Sequence, residues 1–233
     1  VIVEVNLSQP VELEGFHDVY YPKAEGVKEP IPLTSVNQRI GLPCVVVDPS
    51  KIKSIVESNI LDKTKKNPEI THENQMITDH LLNFLEWEFA KKRFEQLPPL
   101  QTGFGAMANC IAESLGRSNF KDLSFFCGGL HQANMELIAA GKVKSASTGS
   151  VQMTPRVMEI IKSQPKNLRE IMVIRNADIT NNSETISRMG IIALNSALEV
   201  DIYGNVNSSH IAGTKIVNGL GCGANFAQNA FIS

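Results

Sequence analysis

The 233 residues carry 22 Lys and Arg against 24 Asp and Glu, a net charge of -2, and 42% of them are hydrophobic. That composition suffices for one good core or two modest ones, and it lacks the basic excess with which a chain holds nucleic acid. No apolar run reaches the roughly 20 residues that cross a bilayer, so neither nucleic acid nor membrane is an expected partner. The four cysteines, Cys44, Cys110, Cys127 and Cys222, are scattered and form no C-x-x-C pair. Structural zinc and a disulfide framework are therefore not expected, and a reducing compartment is the simplest setting. The chain starts without Met in a strand-like VIVEVNL and stops at NAFIS, which we read as an internal piece of a longer protein.

Residues 1–68 alternate short apolar runs with Pro-rich connections. Val1 to Leu7 and Cys44 to Val47 read as strands and Ile52 to Ile60 as a strand or a short helix, with Pro10, Pro22, Pro30, Pro32 and Pro43 between them. Lys63-Thr64-Lys65-Lys66-Asn67-Pro68 is the candidate linker, charged and closed by Pro. From Glu73 to Gln96 the pattern predicts a long helix. Ile77, Leu81, Phe84, Leu85 and Glu88 form its stripe, and Lys91, Lys92 and Arg93 stand near its end, where cations suit the helix dipole. Pro98 and Pro99 stop it, and Trp87, the only tryptophan, is expected to pack between domains.

Strands and helices then alternate. Leu100 to Thr102, Leu123 to Phe126, Val143 to Ser147 and Glu170 to Arg175 read as strands. Helices fall at Ala106 to Leu115, ended by Gly116, at Gln132 to Ala140, ended by Gly141, after the Thr154 cap with Pro155 in first position, and around Ser183 to Arg188. Such alternation predicts an α/β fold with a mostly parallel sheet, whose ligands bind beyond the carboxyl ends of the strands.

The stretch Ile191 to Asn207, IIALNSALEVDIYGNVN, joins a strand pattern to a carboxylate. Ile192, Leu194, Leu198, Val200 and Ile202 alternate onto one face, expected against the core; Asn195, Ala197, Glu199, Asp201 and Tyr203 take the other, and Tyr203-Gly204-Asn205 is a turn. Alternation alone is met equally by a solvated outer face and by one that lines a cleft with Glu199 as nucleophile or base. Two glycine-rich stretches stand near it in kind. Gly103-Phe104-Gly105 lies between a strand and a helix, where a ligand can approach the backbone or a tight turn is simply needed, and Asn218-Gly219-Leu220-Gly221-Cys222-Gly223 reads as a loop. His131 and His210 are single histidines without a second ligand at a metal spacing, so no metal is expected. Cys110 and Cys127 sit in apolar settings and are expected only to pack, and no G-x-S-x-G elbow is present.

The run RMGIIALNSALEVDIYGNVNSSHIAGTKIVNG, with LQTGFGAMAN before it and GLGCGANFAQNAFIS after it, resembles the acetyl-CoA hydrolase and carboxylate CoA-transferase family, the class I coenzyme A transferases. The resemblance extends along nearly the whole chain from VEVNLSQPVELEGFHDVYYP. It implies an open α/β sheet of the CoA-transferase kind, with residues 1–68 closing a first domain, 69–99 a linking helix and 100–233 opening a second that carries the nucleophile. It implies Glu199 as that nucleophile. It also implies Gln101, Gly103, Gly105, Asn195, Asn218, Gly219, Gly221 and Gly223 on the side of the substrate and coenzyme A. The partners implied are acyl-CoA and small carboxylates such as acetate and succinate, with a homodimer as the expected assembly and the cytoplasm, or a mitochondrion-like organelle in a eukaryote, as the location.

A carboxylate of ordinary pKa, about 4.3, is a feeble nucleophile in water. Attack on a thioester calls for a dry cleft and for N–H donors at the developing oxyanion, each worth about 3 to 4 kcal/mol. The implied sequence is attack by Glu199 to an acyl-glutamyl anhydride, return of the thiolate to a glutamyl-CoA thioester, and reversal with a second acid. Interception by water makes the chain an acetyl-CoA hydrolase instead, and loss of turnover leaves a CoA-binding or structural module. The family's NGIGGSGDF is altered here: Cys222 replaces a glycine, Gly223 a serine, Ala224 a glycine and Asn225 an aspartate. A Cβ at 222 or 224 is excluded where positive φ is required, so a reshaped loop and a changed substrate preference are expected.

Overall fold

The computed structural model describes residues 1–22, 26, 29–64, 68–219 and 221–233; Lys65, Lys66 and Asn67 of the candidate linker and Leu220 of the glycine-rich loop lie outside them. Near the start, β1 (Ile2–Asn6) is followed by β2 (His17–Asp18), and β3 (Ser54–Ser58) returns to pair with β1 in parallel as a separate two-stranded sheet. Cys44 to Val47, expected as a strand, form none. Cys44, Val45 and Val46 are exposed, and the nearest ladder contact is the single bridge of Leu42 to Val19. A β-branched run without an edge to pair with stays irregular.

Helix α1 (His72–Ala90) starts where Thr71 and Asn74 cap each other, Thr71 Oγ1 accepting from the Asn74 N–H at 3.3 Å and Asn74 Oδ1 from that of Thr71 at 3.0 Å. It ends six residues earlier than its stripe suggests, because Lys92 turns left-handed at φ 57°, which places Lys91, Lys92 and Arg93 outside the helix. Leu85 is fully buried, but Ile77 and Trp87 are more than half exposed, and Lys91 Nζ lies 3.4 Å above the Trp87 ring.

The remainder winds around six parallel strands. After β4 (Leu100–Thr102) come α2 (Ala106–Arg117), β5 (Leu123–Cys127), α3 (Gln132–Ala139), β6 (Val143–Thr148), α4 (Pro155–Ser163) and α5 (Pro165–Ile171). Then follow β7 (Met172–Arg175), α6 (Ala177–Thr180), α7 (Ser183–Met189) and β8 (Ile192–Leu194). The strand order is β2-β7-β6-β5-β4-β8, and every pairing is parallel. Most predicted elements therefore stand. Glu170 is an exception and lies, with Ile171, in the last turn of α5 rather than opening β7; Gly116 is another, lying within α2, where a Cβ would stand 3.0 Å from Leu137 Cδ2 of α3.

Burial of both faces explains the apolar Phe125-Phe126-Cys127 run of β5. Phe125 joins a core with Leu115, Ile138 and Ile161, whereas its neighbour Phe126 faces a second core with Leu33, Ile186 and Phe226, as pleating requires. At the far edge Arg175 forms a buried ion pair with Asp18, which also accepts from the N–H groups of Ile40 at 3.0 Å and Gly41 at 2.7 Å. Strands β4 to β7 are laid down in one direction and β8 then returns to the other side of β4. The junction of β4 and β8 is thus the topological switch point, where an open parallel sheet leaves a crevice beyond its carboxyl ends.

Candidate functional site

Chain leaving β4 runs through Gly103, Phe104 and Gly105 into α2, and Gly105 at its N-cap adopts φ 116°, a conformation that favours glycine. Chain leaving β8 begins with Asn195. Gln101, buried in the middle of β4, donates from Nε2 to Asn195 Oδ1 at 3.1 Å, and Asn195 Nδ2 donates back to Gln101 Oε1 at 2.8 Å. A Cβ added at Gly103 would lie 3.7 Å from Asn195 Oδ1, and one at Gly223 would lie 3.4 Å from it. Three of the expected site residues, Gln101, Gly103 and Gly223, therefore converge on the amide of a fourth, Asn195.

Above this pair opens a cleft of about 1270 Å³, lined among others by Phe104, Asn195, Asn207, Asn218, Gly219, Gly221 and Gly223. Asn218, Gly219, Gly221 and Gly223 of the glycine-rich loop thus form part of its wall. The expected strain in that loop is not found. Cys222 has φ -66° and caps α8 (Gly223–Asn229), and neither it nor Ala224 has positive φ. The thiol is instead accommodated by a missing side chain, since a Cβ on Gly128 would stand 2.6 Å from Cys222 Sγ.

Glu199 sits on a different piece of backbone from the one its periodicity predicts. The strand stops at Leu194; Glu199 belongs to β9 (Glu199–Val200), which pairs antiparallel with β10 (Val206–Asn207) about a turn at Gly204, φ 84°. The face expected against the core is open, with Leu198 at 42%, Val200 at 63% and Ile202 at 93% exposure. Two residues and a turn on each side bury too little to force the alternation inward. Glu199 is exposed as well and is not itself a lining residue of the cleft, so the dry enclosure expected for it is absent from this hairpin.

What links Glu199 to the cleft is Asn207, its cross-strand partner. Asn207 Nδ2 donates to Glu199 Oε2 at 2.9 Å and to the His210 carbonyl at 2.8 Å, while its Oδ1 accepts from the N–H groups of Ser209 and His210, both at 3.1 Å. A turn centred on Tyr203 makes 199 and 207 equidistant from it, so the pairing could have been read from spacing. Asp201 does turn chemistry: it accepts from the Asn205 side chain at 2.8 Å and from the Asn205 and Tyr203 N–H groups at 2.9 Å, and these bonds hold its carboxyl below the usual range. Asn205, Ser208 and Ser209 are further lining residues that chain-order reading did not single out as a wall. A second short hairpin follows, β11 (His210–Ile211) with β12 (Lys215–Ile216).

His131 at the start of α3 is 1% exposed, neither ring nitrogen has a hydrogen-bond partner, and its ring packs edge-on to Phe104 at 6.4 Å between centroids. Burial pushes its pKa down to about 4, so it is neutral near pH 7. Burial likewise pushes the Cys127 thiol up to about 12, which makes it an inert packing group as expected. Among the described residues no three His, Cys, Asp or Glu side chains are grouped to hold a metal ion, and no helix is long and apolar enough to cross a membrane.

Comparison with known proteins places this geometry in context. Residues 154–233 match the model of the acetyl-CoA hydrolase/transferase C-terminal domain. Over its full length the chain is 40% identical to a succinyl-CoA:acetate CoA-transferase of Clostridium kluyveri and 35% identical to an acetyl-CoA hydrolase of Candida albicans, and it spans 44% of each of those proteins. Solved structures share the fold at low identity. RipA from Yersinia pestis superposes with TM-score 0.58 at 19% identity over 71% of this chain and 36% of that one. A 4-hydroxybutyrate CoA-transferase from Porphyromonas gingivalis does so with TM-score 0.53 at 17% over 88% and 44%.

Proposed function

We propose that the chain is part of an acetyl-CoA hydrolase/transferase, the family whose C-terminal-domain model matches residues 154–233, and that it supplies the nucleophile-bearing part of an enzyme that moves coenzyme A between an acyl-CoA and a small carboxylate such as acetate or succinate. The observation that carries this reading is the hydrogen bond from Asn207, a wall of the switch-point cleft, to the carboxylate of Glu199.

Glu199 attacks the thioester carbonyl, its oxygen forming the new C–O bond while the C–S bond breaks and coenzyme A leaves as thiolate. The thiolate attacks the glutamyl carbonyl of the resulting anhydride and releases the first acid. A second carboxylate reverses both steps. Phe104, Asn218, Gly219, Gly221 and Gly223 form the surface along which the thioester end lies. The Gln101–Asn195 pair holds the two strand ends together beneath it. Distal parts of coenzyme A, bound elsewhere, supply energy for the covalent steps, so truncated thioesters react slowly.

Hydrolysis is the second reading, and the exposure of Glu199 favours it, because water reaches a carboxylate that no dry wall covers. Incubating the full-length protein with acetyl-CoA, with and without succinate, and trapping the glutamyl thioester with borohydride separates the cases. Transfer predicts a trapped adduct at Glu199 and succinyl-CoA formation; a hydrolase gives the adduct but free coenzyme A regardless of succinate. A chain that binds coenzyme A and yields no adduct is a binding module.

A further inference from the structure

Asn207 uses every hydrogen-bonding site it has. Its Oδ1 faces two backbone N–H groups, which fixes the orientation of the amide and leaves Nδ2 facing two acceptors, the His210 carbonyl and Glu199 Oε2. The donor is therefore held in place by the turn that follows β10, independently of the state of Glu199. It reaches one of the two carboxylate oxygens, Oε2.

We propose that Asn207 is a catalytic hydrogen-bond donor to the glutamyl carbonyl, a role that rests on Glu199 being the nucleophile as read above. When Oε1 has bonded to the acyl carbon, Oε2 is the carbonyl oxygen of the anhydride. The thiolate then forms a C–S bond to Cδ, and the electron pair of the carbonyl moves onto Oε2. On collapse the Cδ–Oε1 bond breaks, and the first acid departs as carboxylate with Oε1. No proton or electron is gained or lost. Charge appears on Oε2, the atom already 2.9 Å from Asn207 Nδ2, and a fixed donor at such an oxygen accelerates this kind of step by roughly a hundredfold or more.

Asn207→Asp separates this role from a structural one. Aspartate keeps an oxygen to accept from the Ser209 and His210 N–H groups and offers Glu199 no donor, but its second oxygen then faces Glu199 Oε2 and the His210 carbonyl, so an uncharged variant is needed beside it. The experiment follows, by rapid quench and peptide mass, the glutamyl-CoA thioester that the full-length protein forms from acetyl-CoA without acceptor. Asn207→Ser, with circular dichroism of both variants, guards against loss of fold. The expected result is adduct formation slowed about a hundredfold in both variants, with acetyl-CoA affinity changed less than about threefold. Adduct formation at the unmodified rate overturns the proposal, as does slowing matched by equally weakened acetyl-CoA binding. Absence of any adduct at Glu199 in the unmodified protein is the separate result that removes the nucleophile assignment, and this role with it.

Discussion

Gln101 and Asn195 exchange side-chain hydrogen bonds across the junction of β4 and β8, each donating one N–H to the carbonyl oxygen of the other. Gln101 is 1% exposed while Asn195 faces the cleft. Truncating the outer partner therefore strands a buried amide. We expect Asn195→Ala to cost about 1 to 3 kcal/mol, and the double variant with Gln101→Leu to cost less than the sum of the two single changes. Urea unfolding of the four proteins measures that coupling; strict additivity would show that the pair is not a unit.

Glu199→Ala is expected to abolish acyl transfer in the full-length protein while leaving the fold unchanged. The side chain is exposed and has one side-chain partner, Asn207, so stability should shift by no more than about 0.5 kcal/mol. Steady-state turnover and thermal unfolding check both halves, and near-normal turnover would remove the assignment.

His131 predicts an acid-side loss of stability. Its folded pKa of about 4 lies below the ordinary 6.5, so the unfolded chain takes up the proton first. Stability from this group is complete above pH 6.5 and declines as pH falls toward 4. Between about pH 7.5 and pH 5 the loss should be about 2 kcal/mol. A His131→Phe variant should lose that component of the slope in urea titrations, and an identical slope would contradict it.

The buried pair of Arg175 and Asp18 holds β2 and, through the Ile40 and Gly41 N–H groups, the chain at 40–41 against the edge of the sheet, with Arg175 Nε also donating to Ser147 Oγ at 2.7 Å. Removing one partner leaves an uncompensated buried charge. Asp18→Ala should cost about 3 to 5 kcal/mol, read as a lowered urea midpoint with the β2 segment becoming sensitive to protease before the rest.

Gly128 and Cys222 fit by size. Gly128→Ala places a methyl 2.6 Å from Cys222 Sγ and 3.2 Å from Asn181 Oδ1, an overpacking expected to cost about 1 to 3 kcal/mol. Adding Cys222→Gly should recover part of that loss in a thermal unfolding series. No recovery would mean that the Asn181 contact alone sets the cost.

Elements with local causes were legible in the chain itself. Thr154 before Pro155, Gly141 after α3, and the Phe125-Phe126-Cys127 run of β5 act over a few residues, and their strands and helices lie within one or two positions of where those signals place them. Gly103 likewise follows β4 and precedes α2, as strand, turn and helix succeeding one another require. Periodicity failed at Leu198, Val200 and Ile202 because alternation states that two faces differ, whereas burial needs a partner for one of them.

By itself the sequence determined that strands and helices would alternate, and which glycines, caps and carboxylates would stand at their ends, because those depend on neighbours a turn away. Only the tertiary structure decided that β8 returns beside β4, that Gln101 meets Asn195 across 94 positions, and that Glu199 lies on an open hairpin held by Asn207. Strand order and exposure are set by which distant surfaces pack together, and no window of local periodicity contains that information.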